Sequence, residues 1–270
     1  VRDTDPKKAP ACQDQLSFCY WEGIKIIIGL MGKKALKVLL CGASGRMGRA
    51  VRAEIAACGD FALAGAVDAR PSPGVDRAQA FAGLLAGADV VVDFSVPQAA
   101  CRCAAACAKA RKPFVTGTTG FSPRQLAALK AAARRTPVFV SPNMSPAVNL
   151  CFWLAAFAAG RLEGFSAHVH EAHHAAKKDI PSGTALRFAA AIAAARGGKK
   201  PPITSVRAGD IVGDHTVLYA GPHERVELTH RAHSRAVFAA GALKAAAWAA
   251  ARAPGFYDYF DLLGIRKLLK

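Results

Sequence analysis

The segment Glu171-Ala172-His173-His174-Ala175-Ala176-Lys177-Lys178-Asp179-Ile180-Pro181-Ser182-Gly183-Thr184-Ala185-Leu186 gathers imidazoles, amines and carboxylates immediately before an apolar helical run. Ser182 is a natural N-cap for that run, with Pro181 before it and Ala185 to Ala195 after it. A capped helix start is an anion site, so the N–H groups of Gly183 and Thr184, with His174 and Lys177 nearby, suit a substrate carboxylate. His173 and Lys177 add groups able to deliver a proton near neutral pH, the lysine on condition that burial or neighbouring positive charge lowers its pKa. Two other readings stand beside this one. Histidines also ligate metals, but only Glu171 and Asp179 are at hand to complete a set, and no H-E-x-x-H or H-x-x-E-H spacing occurs, so no metal is assigned. A solvated basic loop around Lys177 and Lys178 is the remaining alternative.

A second set of candidates lies upstream. Gly42, Ala43, Ser44, Gly45, Arg46, Met47 and Gly48 form a glycine-rich turn between a strand and a helix, and Asp68 closes the following strand. Glycines let the backbone approach a pyrophosphate, the helix start offers unpaired N–H groups, and an acid at that offset accepts hydrogen bonds from a ribose 2′-OH. Taken together, these point to a dinucleotide. Ser44 stands where the commonest pattern has its middle glycine. Asp68 repels a 2′-phosphate and so favours NADH, whereas Arg46 or Arg70 offsets that repulsion and admits NADPH. Further along, Thr116-Gly117-Thr118-Thr119-Gly120 and Ser141-Pro142-Asn143-Met144 each follow a strand, at the sheet edge where open α/β sheets bind ligands. Their hydroxyls, amide and flexible backbone suit the ribose and carboxamide of a nicotinamide.

The elements that position these residues are legible in outline. Strands are expected over 37–41, 62–67, 89–94, 113–116 and 138–140, alternating with helices through 58 and over 98–110 and 123–135. That alternation predicts an α/β, Rossmann-like doubly wound parallel sheet. After Asn143 the texture changes: a long apolar helix over 147–159, an alternating strand over 167–171, and short strand-like runs at 206–208, 216–219 and 225–229, which suggest a mainly antiparallel sheet in a second, α+β domain. The first domain is expected over 31–145, completed by about 240–270, and the second over 146–239. Residues 1–30 are expected to lie outside the fold, because Met31-Gly32-Lys33-Lys34 looks like a natural start just ahead of the first strand.

Composition narrows the function classes. The chain has 270 residues, 52% of them hydrophobic and 20% charged, which excludes a disordered polycation. Its formal charge of +17 attracts anions, but a nucleotide or a dicarboxylate satisfies it as readily as DNA. The basic residues are dispersed and no zinc finger or aromatic-rich RNA motif occurs, so no nucleic-acid partner is expected. No apolar run approaches the ~20 residues of a spanning helix, and the first 20 residues carry no secretory signal pattern, so a cytoplasmic protein is expected. The eight cysteines form no C-x-x-C pair and read as thiols filling apolar space.

The glycine turn, Val92-Asp93-Phe94-Ser95, Thr116 to Phe121, Glu171-Ala172-His173-His174 with Lys177, Pro181 to Leu186, and Arg207-Ala208-Gly209-Asp210-Ile211-Val212-Gly213 together resemble the 4-hydroxy-tetrahydrodipicolinate reductase (dihydrodipicolinate reductase) family, over about 37–265. The resemblance implies a lysine and diaminopimelate biosynthetic enzyme that reduces a cyclic imine dicarboxylate with NADH or NADPH. It further implies a homotetramer assembled through the second domain's sheets. By position, Gly42 to Met47 and Asp68 hold the adenosine and pyrophosphate, while Gly117, Thr118, Thr119 and Ser141 to Met144 border the nicotinamide. His174, Lys177, Gly183 and Thr184 bind substrate carboxylates, with His173 and Lys177 as acid/base and proton donor. Arg235 and Phe238 match a family segment facing the cofactor. Ala69 departs from many relatives, which carry a basic residue there, and leaves the choice between the two cofactors open.

Overall fold

The computed structural model describes residues 34–268, so the expectation for the leader falls outside the described residues. The run LKVLLC forms β1 (Leu36–Cys41), whose side chains alternate between two apolar layers. Val38 and Leu40 join one core with Val51, Ile55, Val92, Val115 and Phe139, whereas Leu39 and Cys41 join another with Val67, Val91, Phe114, Leu129 and Val138. A strand buried on both faces reads as a continuous apolar run, the mark of a parallel sheet covered by helices on each side.

The sheet has seven strands, ordered β11-β6-β5-β4-β1-β2-β3 and parallel throughout. Beyond β1 they are β2 (Phe61–Asp68), β3 (Asp76–Arg77), β4 (Val90–Asp93), β5 (Phe114–Thr116), β6 (Pro137–Val140) and β11 (Gly255–Tyr257). Strand order reverses across the β1/β4 boundary, the switch point at which such sheets open a crevice beyond the carboxyl ends of their strands. One layer is covered by α1 (Arg46–Ala57) and α7 (Ala236–Ala250), the other by α2 (Phe81–Leu85), α3 (Pro97–Ala110) and α4 (Pro123–Ala132). The alanine-rich α7 is buried over ten of its residues, and its small side chains let it lie close on the sheet beside Trp248.

A third core forms between α5 (Pro146–Ala159), α6 (Gly183–Ala195) and a four-stranded sheet, with Phe152, Phe188, Ile192, Val217 and Tyr219 at its centre. The sheet runs β10-β9-β7-β8, comprising β7 (Ser166–His173), β8 (Ile203–Arg207), β9 (Asp214–Ala220) and β10 (Arg225–Arg231). It is mixed rather than simply antiparallel: β9 runs against both β7 and β10, but β7 and β8 are parallel, joined by α6 as a crossover. The strand expected at 206–208 lies earlier, because the chain turns at Gly209, whose carbonyl accepts the Ala175 N–H. Among the described residues no helix is long and apolar enough to cross a membrane.

Candidate active site

At the carboxyl end of β1, Gly42 adopts φ +75°, and a Cβ there would lie 2.3 Å from the Phe94 carbonyl oxygen. Only glycine allows the turn to pass this close to the end of β4. The chain then enters α1 at Gly45, where no side chain caps the helix and no acid occupies its first turn. Arg46 and Met47 therefore open a helix whose first N–H groups and dipole favour an anion. Asp68 faces this turn, accepting the Ser44 N–H on Oδ2 and the Arg70 N–H on Oδ1, each at 3.0 Å. Ser44 Oγ donates to the Arg70 carbonyl at 2.7 Å, which ties the turn to the end of β2.

A cavity of about 420 Å³ opens beside Gly42, Gly45 and Asp68, floored by Phe81, Phe94 and Arg102. An adjoining one of about 210 Å³ shares Phe94 and is bounded by Met47, Gly117, Pro142, Asn143, Met144 and Phe238. The paired cavities, the glycine cradle and the uncapped helix suit an extended dinucleotide. A larger concavity of about 640 Å³ lies at the amino ends of the strands, beside Leu36, Asp89 and Pro137, and takes in none of the candidate residues.

Several candidates face inward. Ala43 is fully buried and its N–H donates to the Val67 carbonyl at 3.3 Å. Thr118 Oγ1 and Thr116 Oγ1 both donate to Asp93 Oδ2 at 2.7 Å, and Ser95 Oγ donates to Oδ1. Burial pushes the Asp93 carboxyl up, although these three hydroxyls pull it down. Ser141 Oγ donates to the Asn143 carbonyl at 2.7 Å. The Thr118 and Ser141 hydroxyls thus shape their loops, while Thr119 is exposed at the rim.

The second cluster is built on β7. Strand alternation puts Val169, Glu171 and His173 on the inward face, and Glu171 is wholly buried. Its carboxylate accepts His173 Nδ1 on Oε2, the Ser182 N–H on Oε1 at 3.2 Å, and both arms of Arg207, Nη1 on Oε2 at 2.9 Å and Nη2 on Oε1 at 2.8 Å. Burial alone raises this carboxyl, but the donors outweigh it and hold it at about 2. Burial lowers the His173 pKa, helped by Lys177 and Arg207 and opposed by Glu171. His215 packs edge-on against His173 with ring centroids 5.1 Å apart, hydrogen-bonds Ser182 Oγ at 3.2 Å, and is driven down to about 3, chiefly by burial.

Ser182 caps α6 as its sequence requires, accepting the Ala185 N–H at 3.2 Å, with Gly183 and Thr184 as the first helical residues. Lys177 Nζ donates to Asp179 Oδ1 at 2.8 Å, so its largely buried side chain has a carboxylate as its partner. The two clusters meet at two contacts: Asn143 Nδ2 donates to Thr184 Oγ1 at 3.2 Å, and His174 Nε2 lies 3.4 Å from Arg235 Nη2, in the segment leading to Phe238. The roles of Asp93, Arg207 and His215 were not read from sequence. Arg207 is 36 residues from Glu171 and reaches it only through the parallel pairing that sets His173 opposite Arg207.

A dinucleotide crevice beside a half carrying imidazole, amine and helix-start N–H groups defines a two-domain NAD(P)H-dependent oxidoreductase. Family models described as dihydrodipicolinate reductase, N-terminus and C-terminus, match residues 36–144 and 147–263. The proteins named 4-hydroxy-tetrahydrodipicolinate reductase from Thiobacillus denitrificans and Anaeromyxobacter dehalogenans are 44% and 42% identical to this chain, covering 86% and 85% of it and 100% and 98% of their own lengths. A dipicolinate-bound dihydrodipicolinate reductase from Paenisporosarcina sp. TG-14 shares the fold, with a TM-score of 0.70 at 21% identity over 85% of this chain and 100% of that one. The chain belongs to the dihydrodipicolinate reductase family.

Proposed function

We propose that this protein converts 4-hydroxy-tetrahydrodipicolinate to tetrahydrodipicolinate at the junction of the two clusters: the 4-hydroxyl leaves as water to give dihydrodipicolinate, whose conjugated imine is then reduced, a cyclic imine dicarboxylate chemistry of lysine and diaminopimelate biosynthesis. NADH or NADPH, when bound, supplies the hydride. Gly42, Gly45, Arg46 and Met47 would hold its pyrophosphate, Asp68 a ribose, and Gly117, Thr119, Pro142, Asn143 and Met144 would border the nicotinamide. The cradle that a Gly42 Cβ would fill and the uncapped start of α1 support this fit.

The substrate's carboxylates take the N–H groups of Gly183 and Thr184 and the side chains of His174 and Lys177, which position the ring and withdraw charge from it. Once the ring has been reduced at one carbon, its electron-rich neighbour must gain a proton, and His173 or Lys177 gives it. Lys177 must exchange Asp179 for the substrate to do so. The observation that carries this reading is the Asn143–Thr184 contact, which brings the nicotinamide-side loop to the anion-binding helix start. The reading also includes a cytoplasmic homotetramer assembled through the outer face of the second sheet, where His168, His170 and Thr204 form one hydrogen-bonded group and Thr216 and Thr229 another.

Reduction assayed with freshly made dihydrodipicolinate, first with NADH and then with NADPH, tests the activity. His173→Ala and Lys177→Ala lower kcat by roughly 10²–10⁴-fold while nucleotide affinity stays within a few-fold. Wild-type turnover in both variants would remove the assignment.

A further inference from the structure

His173 is held from one side and open on the other. Nδ1 is bonded to Glu171, so the neutral ring carries its proton there, and Nε2 has no hydrogen-bond partner among the described residues. A Cβ added at Gly213 would come within 3.0 Å of Nε2, so the backbone is kept bare where the ring must sit. A buried carboxylate on an imidazole has two opposed effects. It fixes the tautomer, and it also stabilises the imidazolium and makes the ring reluctant to release a proton.

The second effect is countered here. Arg207 forks the same carboxylate and is anchored in turn by the carbonyls of Val206 and Asp179, each at 2.7 Å. The remaining charged or titratable groups near His173 are Lys177 on the following loop and His215 on β9, and neither bonds the ring. We propose that Glu171 and Arg207 are positioning residues for the reduction: Glu171 orients His173 so that its labile proton sits on Nε2, and Arg207 takes up the carboxylate's charge so that the ring can give that proton away. This rests on His173 acting as the proton donor. Transfer from Nε2 to the substrate carbon leaves the neutral Nδ1–H ring, already matched to its acceptor.

The two partners act in opposite directions, which a purely structural role does not require. With Arg207→Gln, the apparent His173 pKa rises by roughly 1 unit, and with Glu171→Gln it falls by a similar amount. Arg207→Lys, which keeps the charge but loses the fork, stays near wild type in pKa and regains most of the kcat lost in Arg207→Gln. Two readouts are taken on the full-length protein: ¹⁵N imidazole shifts of His173 across pH, and the pH profile of kcat/KM. Shifts of opposite sign in both readouts support the proposal. Shifts in the NMR titration without any in the kinetic profile would uphold the positioning network and reject His173 as donor. Like-signed or absent NMR shifts in folded variants would overturn the proposal.

Discussion

Each half of the molecule buries a carboxylate completely, and the two are kept in different ways. Asp93, at the end of β4, has three hydroxyls for company, whereas Glu171, on β7, has a guanidinium, an imidazole and a backbone N–H. Neutral donors do not fully offset the loss of hydration, so burial wins at Asp93 and its carboxyl is pushed up. A bidentate cation does offset it, so Glu171 is held at about 2. Asp93 joins β4 to β5 and the 116–118 loop as scaffold, and Glu171 holds the His173 ring.

The contrast has a sign. A carboxyl lowered in the folded state adds stability above its unfolded pKa that is lost as pH falls through the folded value, and a raised one adds stability at low pH that is lost as pH rises. His215 behaves like Glu171: lowered from 6.5 to about 3, it favours folding above pH 6.5 and weakens it below. Equilibrium unfolding from pH 7 to pH 3 therefore costs the second half the most, roughly 4 kcal/mol from His215 alone, and His215→Phe flattens the curve. Equal slopes in the two proteins would break the contrast.

Gly42→Ala comes next, at about 2 kcal/mol, because a left-handed backbone and a 2.3 Å approach to Phe94 leave no room for a methyl group. Its damage is confined to the nucleotide half, so fluorescence titration shows weakened NADH binding while an isolated substrate analogue still binds. Asp93→Asn costs only about 1 kcal/mol, and less at pH 8 than at pH 4, since removing the charge relieves desolvation. A larger penalty at pH 8 would mean that the charge itself is held favourably. Thr184→Val has the smallest effect, at most a few-fold in KM, through loss of the Asn143 contact.

How much of this was legible in the sequence follows from the range of the interactions. The doubly wound sheet was readable because LKVLLC, VVVD and PVFV are apolar runs separated by helical stretches. The edge strands Asp76–Arg77 and Gly255–Tyr257 were not, since two or three residues show no periodicity. The Ser182 cap and the Gly42 turn are local chemistry and stood out. The Glu171–Arg207 fork depends on a parallel strand pairing, and the expectation of a mainly antiparallel sheet concealed it. Thr118 looked like a ligand hydroxyl because the sequence does not reveal that Asp93 lies beneath it.

The nucleotide half is begun first and finished last. β11 completes its sheet at Tyr257, and α7 fills its core, after the whole of the other half has been made. A chain made only as far as residue 235 contains every strand of the second half, together with a Gly42 turn on a sheet still missing an outer strand and a covering helix. The outer strand and the covering helix of the nucleotide sheet are therefore among the last of its parts to be made.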